Sequence, residues 1–206
     1  RLIYGQLAAD YERVLGTQIW NGAGSSGELT GLLGLSGTNA ISNVTATAAG
    51  MYVALAKAMS NVHTNSFVSA NAIVMAPRRW NWLLSQVDTT GRPLVVPDMN
   101  GPYMATGVQT AAISAGYVGT MLGLPVYIDA TCPLTLTTDQ DAALVARFSD
   151  SLLMEGNVNT RVLPDVGSGT LTVRFQLYRY VAFTGGRRPT AISKINGIGM
   201  AAPAGF

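Results

Sequence analysis

Apolar residues recur at helical spacing over residues 2 to 20, where Ile3, Leu7, Tyr11, Val14 and Leu15 alternate with a polar side carrying Asp10, Glu12 and Arg13. Asn21-Gly22 supplies a left-handed stop, so an amphipathic helix is expected to open the chain. From Gly22 to about Thr47 the residues are mainly Gly, Ser, Thr and Asn with short apolar pieces such as Leu32-Leu33, which predicts a long loop with a job or a partner. Met51, Leu55, Ala58, Met59 and Val62 then mark one face of a second helix. Ala72-Ile73-Val74-Met75 reads as a buried strand, and Pro77 stands where a first-turn proline is tolerated. Trp80, Leu83, Leu84 and Val87 form the face of a third helix, ended by Asp88-Thr89-Thr90-Gly91.

Residues 95 to 121 mix small and polar residues with prolines and glycines and predict an extended loop. Leu124–Ile128 reads as a short strand, followed by a turn-rich stretch from Asp129 to Asp141. The last third is β in character, with candidate strands at 143–148, 151–155 and 158–164 and the longest from Thr170 to Phe183. In that run Leu171, Val173, Phe175, Leu177, Val181 and Phe183 alternate with polar positions, and only Arg179 breaks the rule. At ~3.3 Å per residue such a strand spans about 45 Å, against a radius of gyration of about 17 Å for a compact domain of this size. The β portion is therefore expected to be an extended arm or spine.

Composition sharpens this picture. The chain has 206 residues, 48% hydrophobic but only 12% charged, where roughly a quarter is usual for soluble domains. Disorder is excluded, one large domain or two small ones fit, and a charge-poor surface points to partners. No window approaches the ~20 apolar residues of a membrane helix, and no signal-peptide pattern is present. The chain opens with Arg1 inside a helical pattern, which suggests a processed or truncated protein. The net charge of +2 argues against a polybasic nucleic-acid binder, but it hides an asymmetry. Residues 1–165 hold 8 basic and 11 acidic side chains, net −3, whereas residues 166–206 hold five basic and no acidic ones, net +5. Opposite portions can attract their counterparts on a neighbouring copy.

Candidate chemistry is thin. Gly22-Ala23-Gly24-Ser25-Ser26-Gly27 fits the dinucleotide fingerprint, but a helix precedes it where a strand is required, and no acid occurs between Glu28 and Asp88 to hold a ribose. His63 is the sole imidazole available to activate a nucleophile, and its place at a helix end explains it structurally. Cys132 is a single cysteine, which permits no internal disulfide, and one histidine leaves no usual zinc set. The pairs Asp139/Asp141 and Asp10/Glu12 read as a solvated turn and a solvated helix face. Arg78-Arg79 and Arg187-Arg188 could meet phosphates but lack the aromatic interleaving of a single-strand platform. Asn43-Val44-Thr45 is a glycosylation sequon without a secretory signal to give it meaning. No catalytic, cofactor-binding or metal-ligating residue is assigned, and an α+β enzyme is the weaker reading.

Five segments in order carry a resemblance. Trp20-Asn21-Gly22-Ala23-Gly24 followed by Glu28-Leu29-Thr30-Gly31-Leu32-Leu33, then Ala72-Ile73-Val74-Met75-Ala76-Pro77-Arg78-Arg79-Trp80, Asp88-Thr89-Thr90-Gly91-Arg92, Leu122-Gly123-Leu124-Pro125-Val126 and Arg188-Pro189-Thr190-Ala191-Ile192 together resemble the major capsid proteins of tailed double-stranded DNA bacteriophages, whose shell fold encapsulin compartments share. The resemblance implies an α+β subunit of two lobes. A peripheral lobe with a spine helix and a long-stranded antiparallel sheet would take residues 1–46 and 143–183, and an axial lobe with a mixed sheet flanked by helices would take 47–142 and 184–206.

The same resemblance implies self-assembly through pentamers and hexamers into an icosahedral shell made in the bacterial host cytoplasm. Double-stranded DNA would be held non-specifically inside, and scaffolding protein, maturation protease and portal are the further partners. The family's N-terminal arm and extended loop do not fit ahead of Arg1. The isopeptide cross-link of some members is not expected, because no Asn lies between Thr160 and Ile195 and no Glu after Glu155. Arg174 and Arg179, facing Asp10 or Glu12 of a neighbour, are the candidate intersubunit contacts. An encapsulin-like shell around protein cargo is the alternative function.

Overall fold

A computed structural model describes residues 2–94, 116–164, 169, 172–203 and 205–206. The first helix, α1, spans Leu2–Asn21. Its stop works by close approach rather than by a left-handed residue: a Cβ on Gly22 would collide with the Leu29 carbonyl, and Gly31 donates its N–H to Gly22 O at 3.0 Å. Gly24 and Gly27 supply the positive φ in the turn that follows, at 69° and 88°. After a short 3-10 turn at Leu32–Gly34, strand β1 takes Asn39–Ser42. Helix α2, Ala48–Ser66, is capped by Thr47, whose hydroxyl accepts the Gly50 N–H at 3.1 Å.

Strand β2 (Ala72–Met75) leads into α3 (Pro77–Ser85), with Pro77 in the first turn as its fixed φ favours. The helix stops two residues before the expected Val87, which lies in an isolated bridge to Pro93 and is exposed. Within the expected loop of 95–121, residues 95–115 lie outside the described part and β3 forms at Tyr117–Met121. Strands β4 (Leu124–Ile128), β5 (Ala143–Ala146), β6 (Leu152–Glu155), β7 (Asn159–Leu163), β8 (Arg174–Tyr178), β9 (Val181–Thr184) and β10 (Ile192–Asn196) complete the elements.

Six strands form one mixed sheet in the order β1-β10-β5-β2-β4-β3, with β1/β10 and β2/β4 parallel and the other neighbours antiparallel. All four residues of the central β5 are buried, and their alternation serves two cores. Ala143 and Val145 meet Met51, Leu55, Ala58 and Val62 of α2, together with Ile73, Met75, Val126 and Ile195. Leu144 and Ala146 meet Trp20, Leu32, Cys132 and Ile192 on the other face. Burying each Val, Leu, Ile or Met of these clusters contributes about 1.5–3 kcal/mol. The buried Ser193 hydroxyl donates to Ala58 O at 2.9 Å, and Lys194 Nζ donates to Leu33 O at 2.8 Å, so β10 fastens a layer on either side of the sheet.

Outside this sheet stands a two-stranded ribbon. Strand β6 pairs with β9, and β7 with β8, both antiparallel. The single strand expected from Thr170 to Phe183 is interrupted. Residues 170 and 171 lie outside the described part, and β8 and β9 are separated at Arg179 and Tyr180. Glu155 pairs with Val181 and Asn159 with Tyr178, so residues 156–158 oppose only residues 179–180. One extra residue on that side is a β-bulge. Arg179, the residue that broke the alternation, sits at this bulge: its Nε donates to Gly156 O at 2.6 Å and its Nη2 meets Glu155 Oε2 at 2.7 Å.

Strands β1 and β5, grouped in sequence with α1 and the ribbon, are hydrogen-bonded into the six-stranded sheet because their apolar residues are needed in its cores. Helix α1 reaches both parts. Tyr4 packs edge-on against Phe175 of β8 at 5.8 Å between ring centres. At the other end of the helix Trp20 Nε1 donates to Asp129 Oδ2 at 2.7 Å, next to β4.

Candidate functional site

The positions that resembled catalytic groups are built into the structure. Cys132 is buried, its thiol donates to Ala142 O at 3.4 Å, and burial pushes its pKa up to about 12, far from a usable thiolate. His63 is exposed in the last turn of α2. The glycines at 22–27 form a tight turn after a helix, in which Glu28 accepts the Ala23 N–H at 3.1 Å and no strand precedes. Among the described residues no group of three His, Cys, Asp or Glu could hold a metal ion, and no helix is long and apolar enough to cross a membrane.

Asp139 remains solvent-exposed as expected of a turn, but Asp141 does not. Asp141 is fully inaccessible and Arg79 nearly so, and two guanidinium nitrogens of Arg79 reach Asp141 Oδ1 at 3.1 and 2.9 Å. Arg78 Nε donates to Asp141 Oδ2 at 3.1 Å, and its Nη1 lies 3.3 Å from Asp139 Oδ1. Arg79 also donates to Ala201 O at 2.7 Å and lies over the Trp82 ring. The four charges join the start of α3, the loop before β5 and the segment after β10. This arginine pair is a structural clamp, with its donors directed at carboxylates and carbonyls of the same chain. Its signal in the sequence was Arg79 itself, four residues before Leu83 and so inside the apolar face of α3.

The surfaces left open are large and partly apolar. Strands β6 and β7 are exposed along almost their whole length. Leu152, Leu153, Met154, Val158, Val162, Val173 and Tyr180 all stand exposed on or beside the ribbon, as do Ile3 and Val14 on α1. Exposed apolar side chains gathered on one ribbon in this way mark interaction surface. A groove between α1 and the ribbon is lined by Tyr11, Leu15, Gln18, Arg179 and Val181. There the Tyr11 phenol is raised above its ordinary pKa by burial first and by Glu155 second, with Arg179 opposing both.

The four candidate contact residues separate into two kinds. Arg179 is held within the chain by Glu155 and Gly156. Asp10 forms a solvent-exposed pair with Arg13 at 3.3 Å, one helical turn away. Arg174 and Glu12 are exposed and have no ion pair among the described residues. Within the chain none of the basic candidates meets an acidic one.

The sequence as a whole matches the phage capsid family over residues 1–196. No curated protein sequence matches it. Among solved structures, the capsid of an empty GTA particle computed with C5 symmetry superposes with a TM-score of 0.64 at 18% identity, covering 95% of this chain and 65% of that one. A Mycobacterium phage Che8 chain gives 0.58 at 15% identity, with 93% and 60% covered, and the capsid of Myoviridae phage XM1 gives 0.58 at 13%, with 95% and 64% covered. At such identities the likeness is one of fold, and this chain spans slightly less than two thirds of the length of those chains. The family match runs from the start of α1 through the sheet and the ribbon to the last residue of β10, and the chain belongs to the phage capsid family.

Proposed function

We propose that this protein is a major capsid subunit of a tailed bacteriophage or prophage, tiling an icosahedral shell through pentamers and hexamers around double-stranded DNA. The observation that carries the reading is the family match across residues 1–196. The exposed apolar ribbon supports it, because exposed apolar surface marks a site of interaction. In this reading α1 and the ribbon form the peripheral lobe, and the six-stranded sheet with α2 and α3 forms the axial lobe that gathers at ring centres. The boundaries proposed from the fold thus leave β1 and β5 with the axial part. Identical contacts repeated round a closed shell let each be weak. DNA is held inside by phosphate electrostatics without base readout. Scaffolding protein, maturation protease and portal are the accompanying partners, and assembly takes place in the host cytoplasm.

Electron microscopy of the expressed gene product tests this reading. Round shells of uniform size containing nuclease-protected DNA are expected. Shells filled with protein cargo would replace the virus reading by an encapsulin-like one, and a strictly monomeric product in all conditions would defeat both.

A further inference from the structure

The ribbon has two faces of different character. Val162 pairs with Phe175, and the Phe175 ring lies against Tyr4, so the chain's own α1 packs on that face at Phe175 while Val162 and Val173 stay half exposed. Residues alternate across a strand, which turns Arg174, Gln176 and Tyr178 to the opposite face. Arg161 pairs with Gln176 and Leu163 with Arg174, placing Arg161 on this outer face too. Arg161 and Arg174 are therefore diagonal neighbours, about 7–8 Å apart at the backbone.

Both arginines are exposed, and neither has an ion pair among the described residues. No acid occupies a described position of β7 or β8, where Asn159, Leu163, Gln176 and Tyr178 surround the pair. The Arg161 guanidinium lies 5.0 Å from the centre of the Tyr178 ring, which orders its plane while leaving its N–H edge for an acceptor. Two like charges at this spacing repel unless an anion bridges them.

We propose that the Arg161–Arg174 face docks on the Asp10–Glu12 turn of α1 in a second copy of the chain. Among the described residues the acids available are few. Asp139, Asp141, Asp150 and Glu155 are paired with arginines, Asp129 holds Trp20 and Thr131, Asp88 closes its own turn, and Glu28 caps Ala23. Glu12 is exposed without such a partner, and Asp10 has only its exposed pair with Arg13. The chain's own α1 lies against the Phe175 face, so its acids are on the wrong side of the ribbon to reach the two arginines. Among the described acids, charge complementarity thus points to a neighbour's α1, and Arg161 takes the place that sequence reading gave to Arg179. The proposal rests on the shell reading above.

Particle yield in a charge swap tests it. Arg161→Glu with Arg174→Glu is expected to lower the yield of shells about tenfold or more at physiological salt, and adding Asp10→Lys with Glu12→Lys is expected to restore it. Restoration itself reports intact folding. The neutral Arg161→Gln, Arg174→Gln pair is expected to assemble with a weaker dependence on salt, which keeps the test valid if the reversed pair misfolds. Unchanged yield on reversal, or loss that the swap does not repair, overturns the contact. Normal shells that retain less DNA also overturn it and assign the arginines to phosphate. Failure of the unaltered protein to form shells would instead refute the shell reading.

Discussion

Arg79 and Asp141, 62 positions apart in sequence, meet inside the protein at 2.9 Å with both side chains inaccessible to solvent. Each charge is buried only because the other is there, and Arg78 and Ala201 O satisfy the remaining atoms. Asp141→Asn is expected to leave two arginines short of an acceptor and to lower unfolding free energy by about 3–5 kcal/mol. Denaturant titration of the variant checks this, and a loss below about 1 kcal/mol would show that the clamp is slack.

Trp20→Phe keeps an aromatic ring in the second core but removes the N–H that Asp129 accepts at 2.7 Å. The expected cost is about 1–2 kcal/mol. Hydrogen exchange should quicken at the C-terminal end of α1 while β5 and β10 stay protected. Uniform quickening of all three would instead place Trp20 in the global unfolding unit.

Gly197 ends β10 with φ at 107°, and a Cβ there would lie 2.7 Å from Asn43 O. Gly197→Ala is expected to cost about 1–3 kcal/mol and to loosen the parallel β1/β10 edge first. Unchanged thermal stability would mean that this edge tolerates rearrangement.

Cys132 gives a chemical readout. At mildly alkaline pH a thiol reagent should label no cysteine in the folded chain and one per chain after denaturation. The folded thiol titrates near 12 and the unfolded one near 9.0, so its stabilisation is complete below pH 9. It then declines toward pH 12, at up to about 1.4 kcal/mol per pH unit. Cys132→Ala should remove that part of the slope, and identical slopes in the two proteins would contradict the assignment.

Arg179 opposes the upward shift of Tyr11 while binding Glu155 and Gly156. Arg179→Ala should therefore raise the Tyr11 pKa further, measured by ultraviolet titration against Tyr11→Phe. It should also speed proteolysis at residues 156–158. A lowered Tyr11 pKa would contradict the arrangement.

The reach of sequence reading follows from what local pattern can encode. Helices α1 and α2, the β2–α3 unit with Pro77 and strands β4 to β7 were legible, because each carries its own periodicity or turn chemistry. The pairing partners of β5 were not. Ala-Leu-Val-Ala is apolar at every position and fits any buried strand, so its place between β10 and β2 depends on distant residues. The burial of Asp141 was hidden for the same reason: two aspartates in a turn look solvated until Arg78 and Arg79 are brought to them. Of the candidate contacts, the exposed charge of Arg174 was legible, whereas the internal engagement of Arg179 required the ribbon's pairing.

The extra residue between β6 and β7 has a consequence for lineages of this protein. Deleting one residue within 156–158 would straighten the ribbon yet preserve every cross-strand partner on both sides, since only the unmatched position disappears. Elsewhere in either strand a single deletion would exchange inward and outward side chains. The bulge is thus a point at which curvature can drift between related chains by one-codon steps, while the chemistry of each face is inherited unchanged.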